Sequence, residues 1–541
     1  MPATQYNFAD LFESIVDGLP DTEALIVDGT KRFTYAQLEA RTNRLAHALQ
    51  SLGVQAGEHV GLYLFNGNEY VEGMLAALKI RAVPINVNYR YVEEELRYLM
   101  NDADLVAVIH ERQFAPRLAA IRGGLPKLRA CIAVEDGSGA DLAATGSVEY
   151  ESALAAASPA RDFAPRSADD LFIIYTGGTT GMPKGVMWRH EDLFFAGLGG
   201  GNPAGPPVES PAQLVANAKE RYHATIFSVP PLIHGAAQLA VLITFNWGDR
   251  SVLLSKFDPV RVWQLIEQER VNSINIVGDA MARPMIEELG RDGASYDASS
   301  LFVLASSGAA FSDSVKAEFQ RLLPSLMIMD NFGSSETGSL GMSGERVSGP
   351  DAKTGIRFLM NERAAVLGDD GKPLAPGSGV VGRLALRGHI PVGYYKDEKK
   401  SAATFVTLDG ERWVLVGDLG TVEEDGRITV FGRGSVCINT GGEKVYPEEV
   451  EIALKAHPAI YDCVVVGVPD TRWGERVAAI VELRPGHSLT MADLDAHARK
   501  HVAGYKCPRE LHVVEKMVRS PAGKPDYPWA KALASAGGHK V

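Results

Sequence analysis

Cysteine is scarce in this chain: Cys131, Cys437, Cys463 and Cys507 are the only four in 541 residues. Their spacing matches no metal site and they are too few for a disulfide framework, so a reducing, cytoplasmic setting is expected. An excess of positive charge is absent as well. The net charge is −13 and no block of Lys and Arg offsets it, which argues against nucleic acid as a partner. Anionic ligands must then be held by local donors. Long apolar runs are also missing. The longest, around Leu239–Phe245, is far short of the roughly 20 residues of a membrane span, so no transmembrane segment is expected. The start, Met1 to Leu11, has neither a basic nor an apolar signal region, so a signal peptide is not expected.

What is present is an ordinary globular composition, 46% apolar and 22% charged, in a chain too long for one hydrophobic core, so at least two domains are expected. Thr34-Tyr-Ala-Gln37 is a capping box opening a helix with Leu38, Leu45, Leu49 and Leu52 on one face and Gly53 as its stop. Strand-like runs at His59–Leu64, Val83–Val87 and Leu105–Ile109 alternate with amphipathic helices near 68–80 and 92–102. Such alternation predicts an α/β fold with parallel-rich sheets. Glu135–Asp170 and Gly197–Pro211 are rich in small and polar residues and read as surface loops. Beyond them, the apolar strands Ile226–Val229, Ile274–Val277, Phe302–Leu304 and Leu326–Met329 each end in a small or polar cluster. Ligands of open α/β sheets bind outside the carboxyl ends of strands, so four such ends predict one composite site. After Arg433 the pattern changes to short strands (Cys463–Val468, Arg476–Leu483, Leu511–Glu515) around helices at 447–456 and 490–502, the latter capped by Thr490 and Asp493. The chain thus divides into a large part, residues 1–433, and a small α+β part, residues 434–541.

The most informative stretch is Tyr175-Thr-Gly-Gly-Thr-Thr-Gly-Met-Pro-Lys-Gly-Val186, which follows the apolar run Leu171–Ile174. Glycines let backbone N–H groups approach phosphate oxygens, threonines add donors, and Lys184 adds a mobile positive charge. It is not a Walker A loop: Pro183 precedes the lysine and Gly185 follows it, so a P-loop nucleotidase is disfavoured. Further candidates lie downstream. Glu336 in Gly333-Ser-Ser-Glu-Thr-Gly338 can hold Mg²⁺ against a triphosphate, with Ser335 donating to a phosphate or a carboxylate; taken alone, a solvated loop glutamate is as good a reading. Asp418 follows a strand, as ribose-binding acids do, and Arg433 comes fifteen residues later. Lys524, between Gly523 and Pro525, could bring a point charge to a phosphoryl transition state. His234 could line an acyl pocket or be a buried structural histidine.

In this order the motifs resemble the adenylate-forming superfamily, specifically an acyl-CoA synthetase, over nearly the whole chain. The segments that carry it are TGGTTGMPKGV, GSSETG, GDLG at 417–420, Gly432-Arg433, GGEKVYPEEVE at 441–451 and SPAGKPDY at 520–527. The resemblance implies a large N-terminal adenylation domain and a small mobile C-terminal domain. It also implies ATP-dependent acid:CoA ligation through an acyl-adenylate, with ATP, Mg²⁺ and coenzyme A as partners of a small carboxylic acid. It assigns Thr176, Gly177, Gly178, Thr179, Thr180, Gly181 and Lys184 to the phosphates. Ser307, Gly308, Ala309, Asn331, Phe332, Gly333, Ser334 and Ser335 go to the nucleotide, Asp418 and Arg433 to the ribose, and Glu336 to magnesium. Lys524 serves adenylation, so Lys524, Glu336, Thr176 and Ser335 form the catalytic set. His234, Gly308 and Gly333 border the acyl group, and Gly441, Gly442 and Glu443 the approach of the thiol.

Gly185–Asp192, Gly278–Pro284, Pro391–Lys400 and Gly434–Val445 look like the actinobacterial-type steroid side-chain CoA ligases, with a general fatty-acyl ligase as close runner-up. One departure stands at the hinge after Arg433, where Ser435 and Val436 replace the Asp or Lys, often followed by Asp, of many relatives; a small residue can still absorb the turn. Leu340–Pro350 reads as irregular and bordering the acyl tunnel. A carrier-protein-loading adenylation enzyme and a catalytically silent ligand-binding relative are the alternatives, and a homo-oligomer is open.

Overall fold

Thr34 opens the helix Tyr35–Ser51 as the sequence requires: its hydroxyl accepts from the Gln37 N–H at 3.2 Å, and the Gln37 carboxamide oxygen accepts from the Thr34 N–H at 2.9 Å. Leu38, Leu45 and Leu49 are fully buried, Leu52 lies just past the last turn, and Gly53 (φ +89°) takes the left-handed backbone that ends the helix. In this computed structural model the described residues are 5–178, 181–203, 205–309, 311–343, 356–433, 436–440, 443–470, 473–519 and 524–536.

Two sheets build the larger part. In the eight-stranded one the strands at Leu171–Gly178, Val83–Asn86, His59–Tyr63, Leu105–Glu111, Ala130–Val134 and Val148–Glu149 lie side by side and parallel. Helices Asn68–Lys79 and Glu93–Asp102 fill the connections, as the alternating pattern predicts. In the other, the run from Met327–Ser334 through Val303–Ser307, Ser273–Ile276, Thr225–Ser228 and Arg250–Leu253 to Glu23–Val27 is parallel, and the strands beyond Met327–Ser334 are antiparallel. One buried cluster joins both sheets through helices Phe8–Gly18, Tyr35–Ser51, Asn68–Lys79 and Gly235–Asn246. The small part is a five-stranded sheet drawn from residues 438 to 514, with helices Pro447–Lys455, Met491–Ala498 and Tyr527–Ser535 and a core of its own. The Thr490–Asp493 box forms there, and the helix it opens ends at Ala498, four residues short of the expected 502.

The structure corrects the sequence reading in three places. Glu135–Asp170 contains the strand Val148–Glu149 and the helix Tyr150–Ala155. Tyr150 and Leu154 are buried, one turn apart, and the Tyr150 hydroxyl donates to Glu72 Oε2 at 2.6 Å; one apolar pair among small residues is too little periodicity to predict a helix. The strands expected to stop at Leu304 and Met329 run on to Ser307 and Ser334, because ladder bonds to neighbours pull Ser, Asn and Gly into extended backbone despite low strand preference. Leu340–Ser343, the start of the stretch Leu340–Pro350 expected to be irregular, belongs to the strand Gly338–Ser343; the rest of that stretch, 344–350, lies outside the described residues. Among the described residues no helix is long and apolar enough to cross a membrane.

Candidate active site

The stretch expected to bind phosphate is the end of a hairpin. Strands Leu171–Gly178 and Gly181–Arg189 pair antiparallel, with Thr176 opposite Lys184 and Tyr175 opposite Gly185. A β-carbon on Gly185 would stand 2.7 Å from the Tyr175 ring, so glycine is needed there to let the ring lie across the hairpin. Lys184 therefore sits on a strand and not on a loop. Gly177, Gly178 and Gly181 belong to the hairpin backbone; Thr179 and Thr180 lie outside the described residues.

Buried asparagines fasten this hairpin to its surroundings. Asn86 takes the Tyr175 N–H on its carbonyl at 2.8 Å and donates to the Tyr175 and Ile233 carbonyls at 2.8 and 2.7 Å. Asn66 does the same for Pro230 and Leu232. The segment Pro230–Gly235, which carries half-buried His234, is thereby held against the hairpin. A β-carbon on Gly235 would approach Ile174 to 2.8 Å.

Two side chains, Trp188 and Tyr394, tie this sheet to the Glu336 turn of the second one, and an ion pair fastens the hairpin to the neighbouring strand's end. The indole N–H of Trp188, fully buried, donates to the Ser335 carbonyl at 2.8 Å. Strand Gly393–Tyr394 pairs with Met187 and Val186, and the Tyr394 hydroxyl donates to Glu336 Oε1 at 2.9 Å. Lys184 forms an ion pair with Asp397, whose carboxylate also accepts from the Lys400 N–H and caps helix Glu398–Thr404. The hydrogen bond from Lys184 holds the Asp397 carboxyl below its usual range. Lys400 Nζ lies 4.5 Å over the Tyr394 ring, a cation–π contact.

Glu336 stands on the turn between strands Met327–Ser334 and Gly338–Ser343. Ser334 accepts from the Glu336 N–H at 3.2 Å and donates its own N–H to Thr337 Oγ1 at 2.9 Å, which fixes the turn. Gly333 is obligatory: a β-carbon would stand 2.1 Å from the Gly338 carbonyl. Two of the expected carboxyl-end clusters lie side by side here. Ser307 is the ladder partner of Asn331, and Gly308 (φ +79°) follows with open space where a β-carbon would stand. Ala309 is half-buried. Phe332 stacks on Phe358 at 4.7 Å between centroids.

Asp418, 8% exposed, is the ladder partner of Arg433 across strands Glu411–Val422 and Ile428–Arg433. Lys524 is exposed and belongs to the small part, where Arg519 and Pro525 bridge in antiparallel fashion. Glu443 pairs with Thr440; Gly441, Gly442 and Ser435 lie outside the described residues. The structure thus brings Thr176, Lys184, Ser335 and Glu336 together around one hairpin, and joins Ser307 to Asn331 and Asp418 to Arg433. Trp188, Tyr394, Asp397, Asn66 and Asn86 had been given no role in the sequence. The signal for Asn86 is an Asn closing an apolar strand, and for Asn66 an Asn three residues past the end of one.

The arrangement offers hydroxyls, a lysine and backbone donors for phosphates, and two half-buried carboxylates beside them, Glu336 and the Asp397 that Lys184 engages. The sequence pattern of the AMP-binding enzymes matches residues 12–395, and that of the AMP-binding enzyme C-terminal domain matches residues 449–524. The chain is 50% identical to a 3-oxocholest-4-en-26-oate–CoA ligase of Rhodococcus rhodochrous over 97% of its length and 95% of the relative's. It is also 50% identical to a medium/long-chain-fatty-acid–CoA/3-oxocholest-4-en-26-oate–CoA ligase of Mycobacterium tuberculosis, over 99% and 97%. Among solved structures it resembles an anthranilate CoA ligase in complex with anthranoyl-AMP, with a TM-score of 0.84, 23% identity and coverage of 99% and 98%, a likeness of fold. With its motifs, its two-part α/β architecture and these relatives in agreement, the chain belongs to the AMP-binding enzyme family.

Proposed function

We propose that this protein is an AMP-forming acid:CoA ligase whose substrate is a carboxylated sterol side chain or a medium- to long-chain fatty acid. The observation that carries the reading is the junction of the Thr176–Lys184 hairpin with the Glu336 turn, through Trp188 and Tyr394, in a chain half identical to ligases of those acids.

A carboxylate is a poor acyl donor because its charge is delocalised and oxide is a poor leaving group. In the first step a carboxylate oxygen of the acid attacks the α-phosphorus of ATP. The bond to the bridging oxygen breaks and diphosphate leaves. In the second, the thiol of CoA loses its proton, its sulfur bonds to the acyl carbon, and AMP departs. The hairpin N–H groups, Thr176 and Lys184 bind the phosphates, which requires the triphosphate to draw Lys184 away from Asp397. Ser335 orients the α-phosphate or the acid. Asp418 and Arg433 hold the ribose, Ser307, Gly308, Ala309, Asn331 and Phe332 surround the adenine, and His234 borders the acyl chain. Lys524 brings its ammonium to the oxygens of the in-line transition state.

The donor set suits magnesium. Magnesium is commonly held by one or two carboxylates plus substrate phosphates and needs no all-protein cage. Glu336 supplies the carboxylate and Tyr394 orients it. When bound, Mg²⁺ would neutralise phosphate charge.

CoA-ester formation measured across fatty acids from short to long, alongside steroid acids, tests the proposal. The highest kcat/KM is expected for the steroid side-chain acid or the medium to long fatty acids. Absence of any CoA ester in the presence of ATP, Mg²⁺ and CoA would overturn it.

A further inference from the structure

The stretch that presents Lys524 is anchored at both ends, and one anchor is a buried cluster of charge. Asp462, on strand Ile460–Asp470, and Glu482, on strand Gly474–Leu483, are ladder partners. Glu482 Oε2 accepts from the Met517 N–H at 2.6 Å. Asp462 receives the Arg519 guanidinium on both oxygens, Nε to Oδ2 at 2.6 Å and Nη2 to Oδ1 at 2.5 Å. Two neighbouring acids thus fix residues 517 to 519. At the far end the Arg519–Pro525 bridge closes the stretch, and Asp526 accepts from the Trp529 N–H at 3.0 Å to cap helix Tyr527–Ser535.

The cluster is larger than one pair. Lys455 Nζ, almost fully buried at the end of helix Pro447–Lys455, lies 3.2 Å from Asp462 Oδ1. Glu451, 2% exposed, accepts from the Val465 N–H at 2.9 Å and adds negative charge beside Lys455 and Arg519. Asp279, from the larger part, acts on the same two cations. Burial would push the Asp462 carboxyl up, yet Lys455 and Arg519 hold it down at about 2. Desolvating such charges costs about as much as their attraction returns, so the cluster is a weak source of stability. What it supplies is fixed geometry, since a bidentate Arg–carboxylate fork tolerates little rotation.

We propose that Arg519, clamped by Asp462 and backed by Lys455, is a positioning residue that sets where Lys524 is delivered in the adenylation step. This rests on the reading of Lys524 as the adenylation lysine. Misplacing a catalytic group by about 1 Å can cost about 100-fold in rate, whereas the second step, from adenylate to thioester, does not use that ammonium.

The test compares Asp462→Asn and Arg519→Lys with the unsubstituted full chain in three measurements: acid-dependent ATP–diphosphate exchange, thioester formation from supplied acyl-adenylate and CoA, and thermal melting. Both variants are expected to lower the exchange kcat about 10- to 100-fold. The KM for ATP and for the acid should stay within about threefold, as should thioester formation, because the hairpin and the acyl pocket are untouched. In the Lys524→Ala background, Asp462→Asn is expected to add no further loss, because the clamp acts through that lysine. Should Asp462→Asn fail to fold, Arg519→Lys carries the same test, since it keeps the buried charge and removes only the fork. Equal losses in both half-reactions, or full exchange activity in the variants while Lys524→Ala loses it, would overturn the inference and leave the functional reading standing. If Lys524→Ala itself kept full exchange, the reading beneath it would fall.

Discussion

Replacing Lys524 by alanine is expected to lower acid-dependent diphosphate exchange about 100- to 1,000-fold, the usual cost of removing one preorganised donor to a developing negative charge. The group is exposed in the small part, on a stretch pinned by Arg519 and Pro525, so its removal leaves the core and the hairpin unchanged. Melting temperature should move little, and ATP binding should persist because Lys184 and the hairpin N–H groups remain. Thioester formation from supplied adenylate should stay within a few-fold of the original. Arginine at this position is expected to restore little, since a planar fork presents its charge differently from a compact ammonium. Equal loss of both half-reactions would contradict the assignment.

Glu336→Ala is the second large effect. The Glu336 carboxylate stands beside the Thr176–Lys184 hairpin, unpaired with Lys184 and held by the Ser334–Thr337 turn and by Tyr394. Its loss is expected to reduce exchange about 100-fold or more and to raise the Mg²⁺ concentration needed for half-maximal rate, because charge on the transferring phosphates is then less well neutralised. Tyr394→Phe removes one hydrogen bond to the carboxylate and should cost about tenfold, in line with a hydrogen bond to a charged group. The two changes should be non-additive, since the tyrosine acts through the glutamate. An unchanged Mg²⁺ requirement in Glu336→Ala would place the metal elsewhere.

Much of this architecture is legible in the sequence wherever one local rule decides. The Thr34 and Thr490 boxes satisfy helix N–H groups with side chains three residues away. The four strand ends lie in one parallel run because apolar strands followed by small residues can bury their bodies and expose their tips. What was not legible depends on contacts between segments far apart in the chain. Trp188 reads as an apolar residue of a strand until its N–H is seen on Ser335, 147 residues away. Tyr394 and Asp397 sit in a short segment whose chemistry appears only when it pairs with the hairpin strand. Lys184 looks like a loop residue because glycine and proline surround it, yet ladder bonds to Thr176 hold it on a strand. The Arg519–Asp462 fork joins positions 57 residues apart, and no periodicity could have linked them.

The central claim is that these loops converge on one nucleotide and leave its α-phosphorus open to a carboxylic acid. Exchange of labelled diphosphate into ATP, measured without CoA and with the acid as the only variable, tests it most directly. The account predicts exchange that depends on the acid and saturates with it, rising from background for steroid side-chain or medium to long fatty acids. Purified protein that binds ATP yet exchanges no label with any acid would contradict it.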